Sequence, residues 1–544
     1  MTTTNSAGEW PAAPVLVLGA GPVGQTTALL LARWGVPTIV LDQRPERDVV
    51  GSKAICQQRD VLDVWEAVGA GARIAAEGVT WTTARTFHRD RELFATEFAE
   101  PGRPAFPPFV NISQTRTEQV LDECIAAAPL VDLRWGRRVT GVDQDGSGVT
   151  VRLADGSEVR GSYLVVCAGA RSDELRSLLG VRFDGHSFDD RFLICDIRTD
   201  LPGWASERRF YFDPEWNPGR QVLIHPCPGS TFRIDWQVPS DIDLDTEVAT
   251  GALDRRIRQI IGERDYEIVW KSVYRFHSRV VDRMRCGRIL LAGDAAHLVS
   301  PFGARGLNSG VGDAENAAWK IAYVGYGWAP DDLLETYHDE RHAAALENVA
   351  VTTATMDFLV PPDEERARHR TDVLTRAATD PQARAQVDSG RLAEPFWYVD
   401  SPLTSPDGRR PFAGRPPRGQ VPPAGPGMVV PDAPVETPAE GPTRIRALAR
   451  AGFLLLVGSA ADPDAARRAA AAVPGPARVL ILDEIDPDGT LATGLAARPD
   501  EVWILRPDAH VAAVLPAPTF DDLTPVLERA VRAGDRHGLL QASP

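Results

Sequence analysis

The glycine turn near the N-terminus constrains this chain more than any other feature. Val15-Leu16-Val17-Leu18 is a continuous apolar run, as expected for a strand buried on both faces of a parallel sheet. Gly19-Ala20-Gly21-Pro22-Val23-Gly24 follows and opens a helix predicted from Pro22 to Trp34, which Gly35 ends. Thr38 to Leu41 reads as the next buried strand. G-x-G-x-x-G in a βαβ unit of about 30 residues is a dinucleotide fingerprint. The first glycine permits the tight turn, the second lets the backbone approach a pyrophosphate, and the third lets the helix pack on the strand. The phosphates then rest on the N–H groups of a helix start. Asp42 ends the second strand, 18 residues after Gly24, where a carboxylate can accept bonds from both ribose hydroxyls. The motif alone does not separate FAD from NAD.

Composition narrows the class. The chain has 544 residues, with 59 Lys and Arg against 75 Asp and Glu, a formal charge of −16. Length predicts three or four units at ~150 residues each. An acidic surface repels phosphate backbones, so no nucleic acid and no membrane is expected as partner. At 43% hydrophobic and 25% charged residues, overall disorder is excluded. The six cysteines form no CxxC and no zinc spacing, so the expectation is a reduced, cytoplasmic protein without a metal. The first ten residues lack a signal-peptide layout. The longest apolar stretches, such as Phe453 to Val457, fall far short of the ~20 residues of a membrane span.

The rest of the chain reads as α/β within an α+β multidomain whole. Residues 12–185 form the first part of a Rossmann-like domain, ending in a further buried strand, Tyr163 to Val166. Residues 186–284 change to alternating strands, 208–212, 222–225 and 231–238, with turns at Pro and Gly. They predict an inserted antiparallel substrate domain. Residues 285–400 return to the first domain, with another buried strand at 288–291 and helices from Asp313 and Asp331. Residues 401–442 read as a linker or strap, with twelve prolines and six glycines between 402 and 442. Residues 443–544 form a last unit: strands at 452–457, 477–482 and 501–505, a helix at 464–472 and another near Asp521 to Ala533.

A second motif decides the cofactor. Gly293-Asp294-Ala295-Ala296-His297 follows the buried strand at 288–291. Pro301-Phe302-Gly303-Ala304-Arg305-Gly306-Leu307-Asn308 then opens a helix. An Asp at a strand's carboxyl end can hold ribityl hydroxyls, and a helix start stabilises an anionic reduced flavin. A plain NAD dehydrogenase has no use for this second site. With GxGxxG, GDAAH and PxGxxGLN together, the chain resembles the class A flavin monooxygenases, the family of p-hydroxybenzoate and phenol hydroxylases. Gln114-Thr115-Arg116-Thr117-Glu118 is similar to the family's flavin-contacting segment. Lys53 and Ala54 fall where the family meets FAD and the nicotinamide, and Gly169-Ala170-Arg171-Ser172 matches its D-G-A-R-S. Ala317 to Lys320 and Arg506-Pro507-Asp508 match later signatures. One position departs: Ala168 replaces the aspartate of D-G-A-R-S.

The resemblance covers nearly the whole chain. It implies an FAD-binding domain, a C-terminal thioredoxin-like domain, a possible homodimer, and NADPH or NADH as reductant. With no cysteine after Cys286, that last domain cannot perform thiol redox chemistry. The implied cofactor contacts are Gly19, Gly21, Pro22, Val23, Gly24, Asp42, Gln43, Arg44, Lys53, Ala54, Gln114, Gly169, Gly293, Asp294, Gly303, Gly306, Leu307 and Asn308. The implied chemistry is transfer of one oxygen atom of O2 from a flavin C4a-hydroperoxide to an electron-rich ring. A phenol becomes a better nucleophile as its proton leaves, so an acceptor near the substrate oxygen is expected.

His225 and Cys227, and Arg233 and Asp235, are separated by two on their strands, so each pair shares a face. In the family, Arg233 matches an arginine near the flavin ring, and 225, 227 and 235 match substrate positions. The family's carboxylate-binding arginine falls on Cys227, which points away from a small benzoate. His225, Asp235, Arg233 and Pro301 are the candidate catalytic residues. Tyr211, His225, Cys227, Asp235, Trp236 and Phe302 are the candidate substrate contacts. A packed strand histidine at 225, a 235–233 salt bridge, and plain packing of Tyr211 and Trp236 are the bland alternatives. The expected substrate is a mostly apolar phenol or other hydroxy-aromatic, such as a hydroxypyridine or polyketide-type ring. Alternatives are a flavoprotein epoxidase or Baeyer–Villiger oxygenase on the same scaffold, and, given Ala168, a flavin-binding regulatory protein without turnover.

Overall fold

Five parallel strands carry the dinucleotide cradle: Ile289–Leu291, Leu164–Val166, Val15–Leu18, Thr38–Leu41 and Val131–Arg134, in that order, with Arg285–Cys286 antiparallel at one edge. The computed structural model describes residue 10 and residues 13–48, 53–98, 103–416, 420 and 422–531. The three apolar runs singled out in the sequence are adjacent here: Leu16 pairs with both Leu164 and Ile39. All four residues of Val15–Leu18 are buried, because helices cover both faces of a parallel sheet. Helices Pro22–Arg33 and Arg305–Gly325 pack directly on each other. Gly310 permits this fit, since a Cβ there would lie 2.6 Å from a Val23 methyl, while Gly24 lets the first helix sit close on its own turn, where a Cβ would lie 1.9 Å from the Gly19 carbonyl oxygen.

The inserted unit is an eight-stranded sheet that runs His297–Leu298, Glu267–Val281, Phe183–Arg198, Thr231–Val238, Gln221–Cys227, Glu207–Phe212, Thr83–His88, Arg91–Glu97. It differs from the expected 186–284 unit at both edges, since His297–Leu298 at one end and the Thr83–Glu97 hairpin at the other lie outside that range. The hairpin Thr83–Glu97 belongs to the first half of the chain, yet Thr83–His88 pairs in parallel with Glu207–Phe212. That pairing covers what would be an open, apolar edge strand.

The two faces of this sheet have separate cores. Leu193, Tyr211, Ile224, Ile234 and Trp236 pack against helix Ala252–Ile261. Phe192, Ile194, Phe210, Phe212 and Leu223 pack against Phe302 and against helices Glu335–Leu359 and Glu364–Arg376. This second face is the one turned toward the dinucleotide domain.

In the C-terminal domain, Phe453–Val457 pairs in parallel with Ala477–Ile481 and antiparallel with Glu501–Leu505, which pairs with Val511–Pro516. Helices Pro463–Ala472 and Phe520–Val531 pack on each other across this sheet. A βαβ unit followed by an antiparallel hairpin and a helix is the topology of thioredoxin-like folds. The strand Val511–Pro516 was not read from the sequence, and residues 532 and 533 of the expected last helix lie outside the described residues. The domain is docked on the long helix Arg305–Gly325: Trp319 and Tyr323 share a core with Phe453 and Leu455. Arg450 bonds Glu315 at 2.6 Å and Asp63 at 2.7 Å. The expected linker is partly structural, since Leu403 and Val430 are buried and Pro434–Thr437 pairs with Gly441–Arg444. Among the described residues no helix is long and apolar enough to cross a membrane.

Candidate functional site

The glycine turn takes the shape its residues require. Gly19 has φ +104°, where a side chain would be strained, and its Cβ would lie 2.5 Å from the Cys167 carbonyl oxygen. At Gly21 a Cβ would meet nothing within 4 Å, so this position faces open space at the start of helix Pro22–Arg33. Asp42 accepts the Ala20 N–H at 2.7 Å and pairs with Arg44 at 3.0 Å. Burial opposes its charge, but the bonds from Arg44 and from the Ala20 and Arg44 backbone outweigh it and hold the carboxyl below its ordinary range. Gln43 beside it is exposed.

A polar layer under the turn escaped the sequence reading. Arg47 donates to the Ala20 carbonyl at 2.9 Å and pairs with Glu118 at 2.7 Å and Asp122 at 2.5 Å. Gln25 donates to the Glu118 carbonyl and to Asp122. The one available signal was Gln25 itself, a polar residue on the buried face of an otherwise apolar helix. Gln114 accepts the Ala54 N–H at 3.1 Å and donates to Glu118 at 2.9 Å, so it ties the Lys53–Ala54 segment to the same layer. Gly169 has φ +76° and its carbonyl accepts the Ser172 hydroxyl.

The second motif lies at the adjacent strand end. Gly293 turns with φ +59° and packs on Val23. Asp294 is exposed and makes no hydrogen bond with the described residues. Even so, the protein packed around it desolvates the carboxylate and raises its pKa, with His297 and Lys53 pulling the other way. Asp294 is thus free to accept hydrogen bonds from a ligand in the cleft at this strand end. Gly303 has φ +94°, and Ala304, at φ +56°, caps helix Arg305–Gly325 without a side-chain bond. The first-turn N–H groups of Gly306, Leu307 and Asn308 therefore have no side-chain cap. The Asn308 side chain is fully used: it accepts the Gln58 N–H and donates to the carbonyls of Cys56 and Ala304. Any contact of Asn308 with a ligand is through its backbone. The open face at Gly21, the unpartnered Asp294 and this uncapped helix start fit a pyrophosphate, a ribityl chain and a flavin ring.

The sheet face turned toward this cleft is ordered by register. One row runs Arg208, His225, Arg233, Asp196, Trp270; the next runs Phe210, Leu223, Asp235, Ile194, Ser272. Arg233 is buried and pairs with Asp196 at 2.8 Å, and its other arm donates to the Lys53 carbonyl at 2.9 Å. It thus joins the sheet to the cofactor cradle, and the alternative of a 235–233 salt bridge is not what forms. Asp235 Oδ1 and His225 Nδ1 are buried without partners, and His225 Nε2 lies 3.9 Å from Asp235 Oδ2. Burial raises the Asp235 pKa to about 7, against the pull of Arg233. Burial and the flanking Arg208 and Arg233 push His225 well below its usual value, so it is neutral at pH 7. Cys227 continues the row of odd-numbered residues, its thiol raised to about 12 by burial.

Phe302 is 3% exposed and packs edge-on to Phe192 at 5.2 Å, while Pro301 beside it is exposed. Two sequence candidates do not reach this face. Tyr211 and Trp236 point to the opposite side of the sheet, where Tyr211 stacks on Phe87 at 4.5 Å. Period-two alternation sends 211 and 236 away from 210, 212 and 235. Phe210 and Phe212 supply the aromatic wall instead. Among the described residues no cluster of His, Cys, Asp and Glu could hold a metal.

Comparison with known proteins agrees with this geometry. The pattern of the FAD binding domain family matches residues 12–352. A 3-(3-hydroxy-phenyl)propionate/3-hydroxycinnamic acid hydroxylase from Mycobacterium sp. (strain JLS) is 31% identical over 377 residues, covering 69% of this chain and 65% of that protein. A probable NADH-specific resorcinol 4-hydroxylase from Rhodococcus jostii (strain RHA1) is 32% identical over 342 residues, 61% of this chain and 62% of its own. The chain thus spans about 65% of the length of the first of these relatives. The crystal structure of the flavin-dependent monooxygenase PieE with FAD and substrate superposes with a TM-score of 0.80 at 25% identity, covering 95% of this chain and 99% of that one. With the cradle in place and the family pattern matching residues 12–352, more than half of the chain, the chain belongs to the FAD binding domain family, and FAD is its cofactor.

Proposed function

We propose that this protein is an FAD-dependent monooxygenase that uses NADPH or NADH and O2 to hydroxylate a phenol or related hydroxy-aromatic. The observation that carries the reading is the pair of buried, unpartnered polar atoms, His225 Nδ1 and Asp235 Oδ1, on the sheet face that meets the cofactor cradle. Buried polar groups without partners are uncommon and call for an occupant. A substrate hydroxyl supplies one.

FAD, when bound and reduced, supplies the activated oxygen. The chain supplies the rest. Neutral His225 can accept a hydrogen bond from the phenol at Nδ1, and Asp235 can accept the proton as a carboxylate above pH 7, so both raise electron density on the ring. Arg208 and Arg233 keep His225 uncharged and favour the phenolate that results. Phe192, Phe210, Phe212 and Phe302 exclude water from the ring. Arg233 fixes the Lys53 segment relative to the sheet, so the two halves of the site keep one geometry. The named relatives act on hydroxyphenyl and resorcinol substrates, which supports the phenolic class.

The test is a screen of phenols and hydroxypyridines for stimulated NAD(P)H oxidation, with product mass. A gain of one oxygen atom on a phenol is expected. NAD(P)H oxidation that no aromatic stimulates, with no oxygenated product, would favour the flavin-binding protein without turnover.

A further inference from the structure

A buried chain of polar side chains runs from the C-terminal domain to the cofactor cradle. Arg506 forks onto Glu340, at 2.5 Å and 2.9 Å, and is braced by Asp508 at 2.7 Å. Glu340 also accepts from Lys320 at 2.6 Å and from Asn316 at 2.7 Å. Asn316 reaches the Tyr398 hydroxyl at 3.3 Å, and that hydroxyl accepts from Arg341 at 2.9 Å. Arg341 donates to Asp313 at 2.7 Å. The other oxygen of Asp313 accepts the Gly293 N–H at 2.8 Å and lies 2.8 Å from His297 Nε2. Gly293 and His297 bracket Asp294. Arg506, Glu340, Asp313 and His297 are each at most 2% exposed.

We propose that Arg506 is a positioning residue for the flavin cradle, setting the Gly293–His297 turn through Glu340, Tyr398, Arg341 and Asp313. Three observations favour this over simple domain adhesion. The C-terminal domain already has an apolar dock at Trp319 and Tyr323 and a second ionic dock at Arg450, so Arg506 is not needed to hold it on. The links at both ends, Arg506 to Glu340 and Arg341 to Asp313, are charge-assisted and buried, where hydrogen bonds are strongest and misplacement costs most. A cavity behind helix Arg305–Gly325, lined by Asn316, Arg341, Tyr398, Asp508 and His510, leaves this stretch room to rearrange, and Asn316 Oδ1 lies buried there without a partner.

The proposal rests on FAD as cofactor but not on the hydroxylation reading, so it is tested without substrate or NAD(P)H. Apo-protein is titrated with FAD, following flavin fluorescence and the visible circular dichroism of the bound flavin. Arg506→Met leaves Glu340 paired with Lys320 and should raise the FAD Kd roughly 10-fold, within the range of known network couplings. Arg506→Lys should recover part of the loss. Asp313→Asn should weaken FAD more, and the double variant should lose less than the product of the two factors. Leu456→Ala, a core change in the same domain away from the chain, serves as the stability control and should leave the FAD Kd within about twofold. A wild-type FAD Kd and flavin spectrum in Arg506→Met would overturn the proposal. So would an equal loss in Leu456→Ala, or multiplicative factors in the double variant. If Arg506→Met does not fold, Arg506→Lys with Asp313→Asn carries the same cycle.

Discussion

The polar groups under the glycine turn and those on the sheet face opposite it are treated differently by the fold. Beneath the turn, Asp42, Arg44, Arg47, Glu118, Asp122 and Gln114 bond to one another and to the backbone. On the sheet, His225 and Asp235 stand 3.9 Å apart, each with an orphaned atom. The first set holds a shape, and removing one member leaves the others unpaired. The second set costs free energy until something binds, with about 1–3 kcal/mol at stake for each unsatisfied group. Between these two sets, hydrogen-bond satisfaction marks the difference between residues that hold a shape and residues that face a ligand.

The hardest way to break this contrast is at the turn. Gly24→Ala places a methyl 1.9 Å from the Gly19 carbonyl oxygen, so loss of FAD binding and a clear drop in Tm are expected. Retention of flavin at normal occupancy would show that the turn can shift, and that the cradle is not the rigid partner. Asp294→Ala should also lower flavin occupancy, with little change in fold, because that carboxylate has no partner in the protein to abandon.

On the sheet the expected effect is on coupling. His225→Ala or Asp235→Ala should lower hydroxylation by roughly 10²–10⁴-fold while NAD(P)H is still consumed and peroxide released. If both variants hydroxylate at the wild-type rate with full coupling, this face does not hold the substrate oxygen.

A smaller effect is pH-dependent. Asp235 has a folded pKa of about 7, raised from 3.8. Its proton is held more tightly in the folded state, so its contribution to stability is complete below about pH 4 and is lost as pH rises through 7. Asp235→Asn should therefore raise Tm at pH 8 and leave it unchanged near pH 4. The same substitution should erase any rise in coupling centred near pH 7. The smallest change is expected from Tyr211→Phe. That ring lies on the far face, so coupling should stay at the wild-type level, and uncoupling there would mean that the two faces communicate.

The sequence was most informative where one residue type alone fits. Gly19, Gly21, Gly24 and the three apolar strand runs place the cradle, because the backbone geometry admits few alternatives. Period-two alternation likewise put His225, Cys227, Arg233 and Asp235 on a common face. The same rule, applied strictly, would have removed Tyr211 and Trp236, which entered only as aromatic side chains near the candidate face. What stayed illegible depends on distant partners. Nothing near Asp313, Arg341 or Glu340 in sequence announces Arg506, more than 160 residues on. Nothing local to Arg233 announces Asp196 rather than Asp235.

The parallel pairing of Thr83–His88 with Glu207–Phe212 has a consequence for how the chain is made. The hairpin Thr83–Glu97 leaves the ribosome more than a hundred residues before its partner strand. At about 5–20 residues per second it waits several seconds or more with one side unpaired. Its outer strand, Arg91–Glu97, is charged and half-exposed, which guards one edge during the wait. The inner edge, with Phe87 and Thr86, has no such guard. An excised 183–284 fragment would have the complementary fault, with Glu207–Phe212 bare. Split or domain-swapped versions of this protein should therefore be cut outside 83–284, where both halves of the ladder travel together.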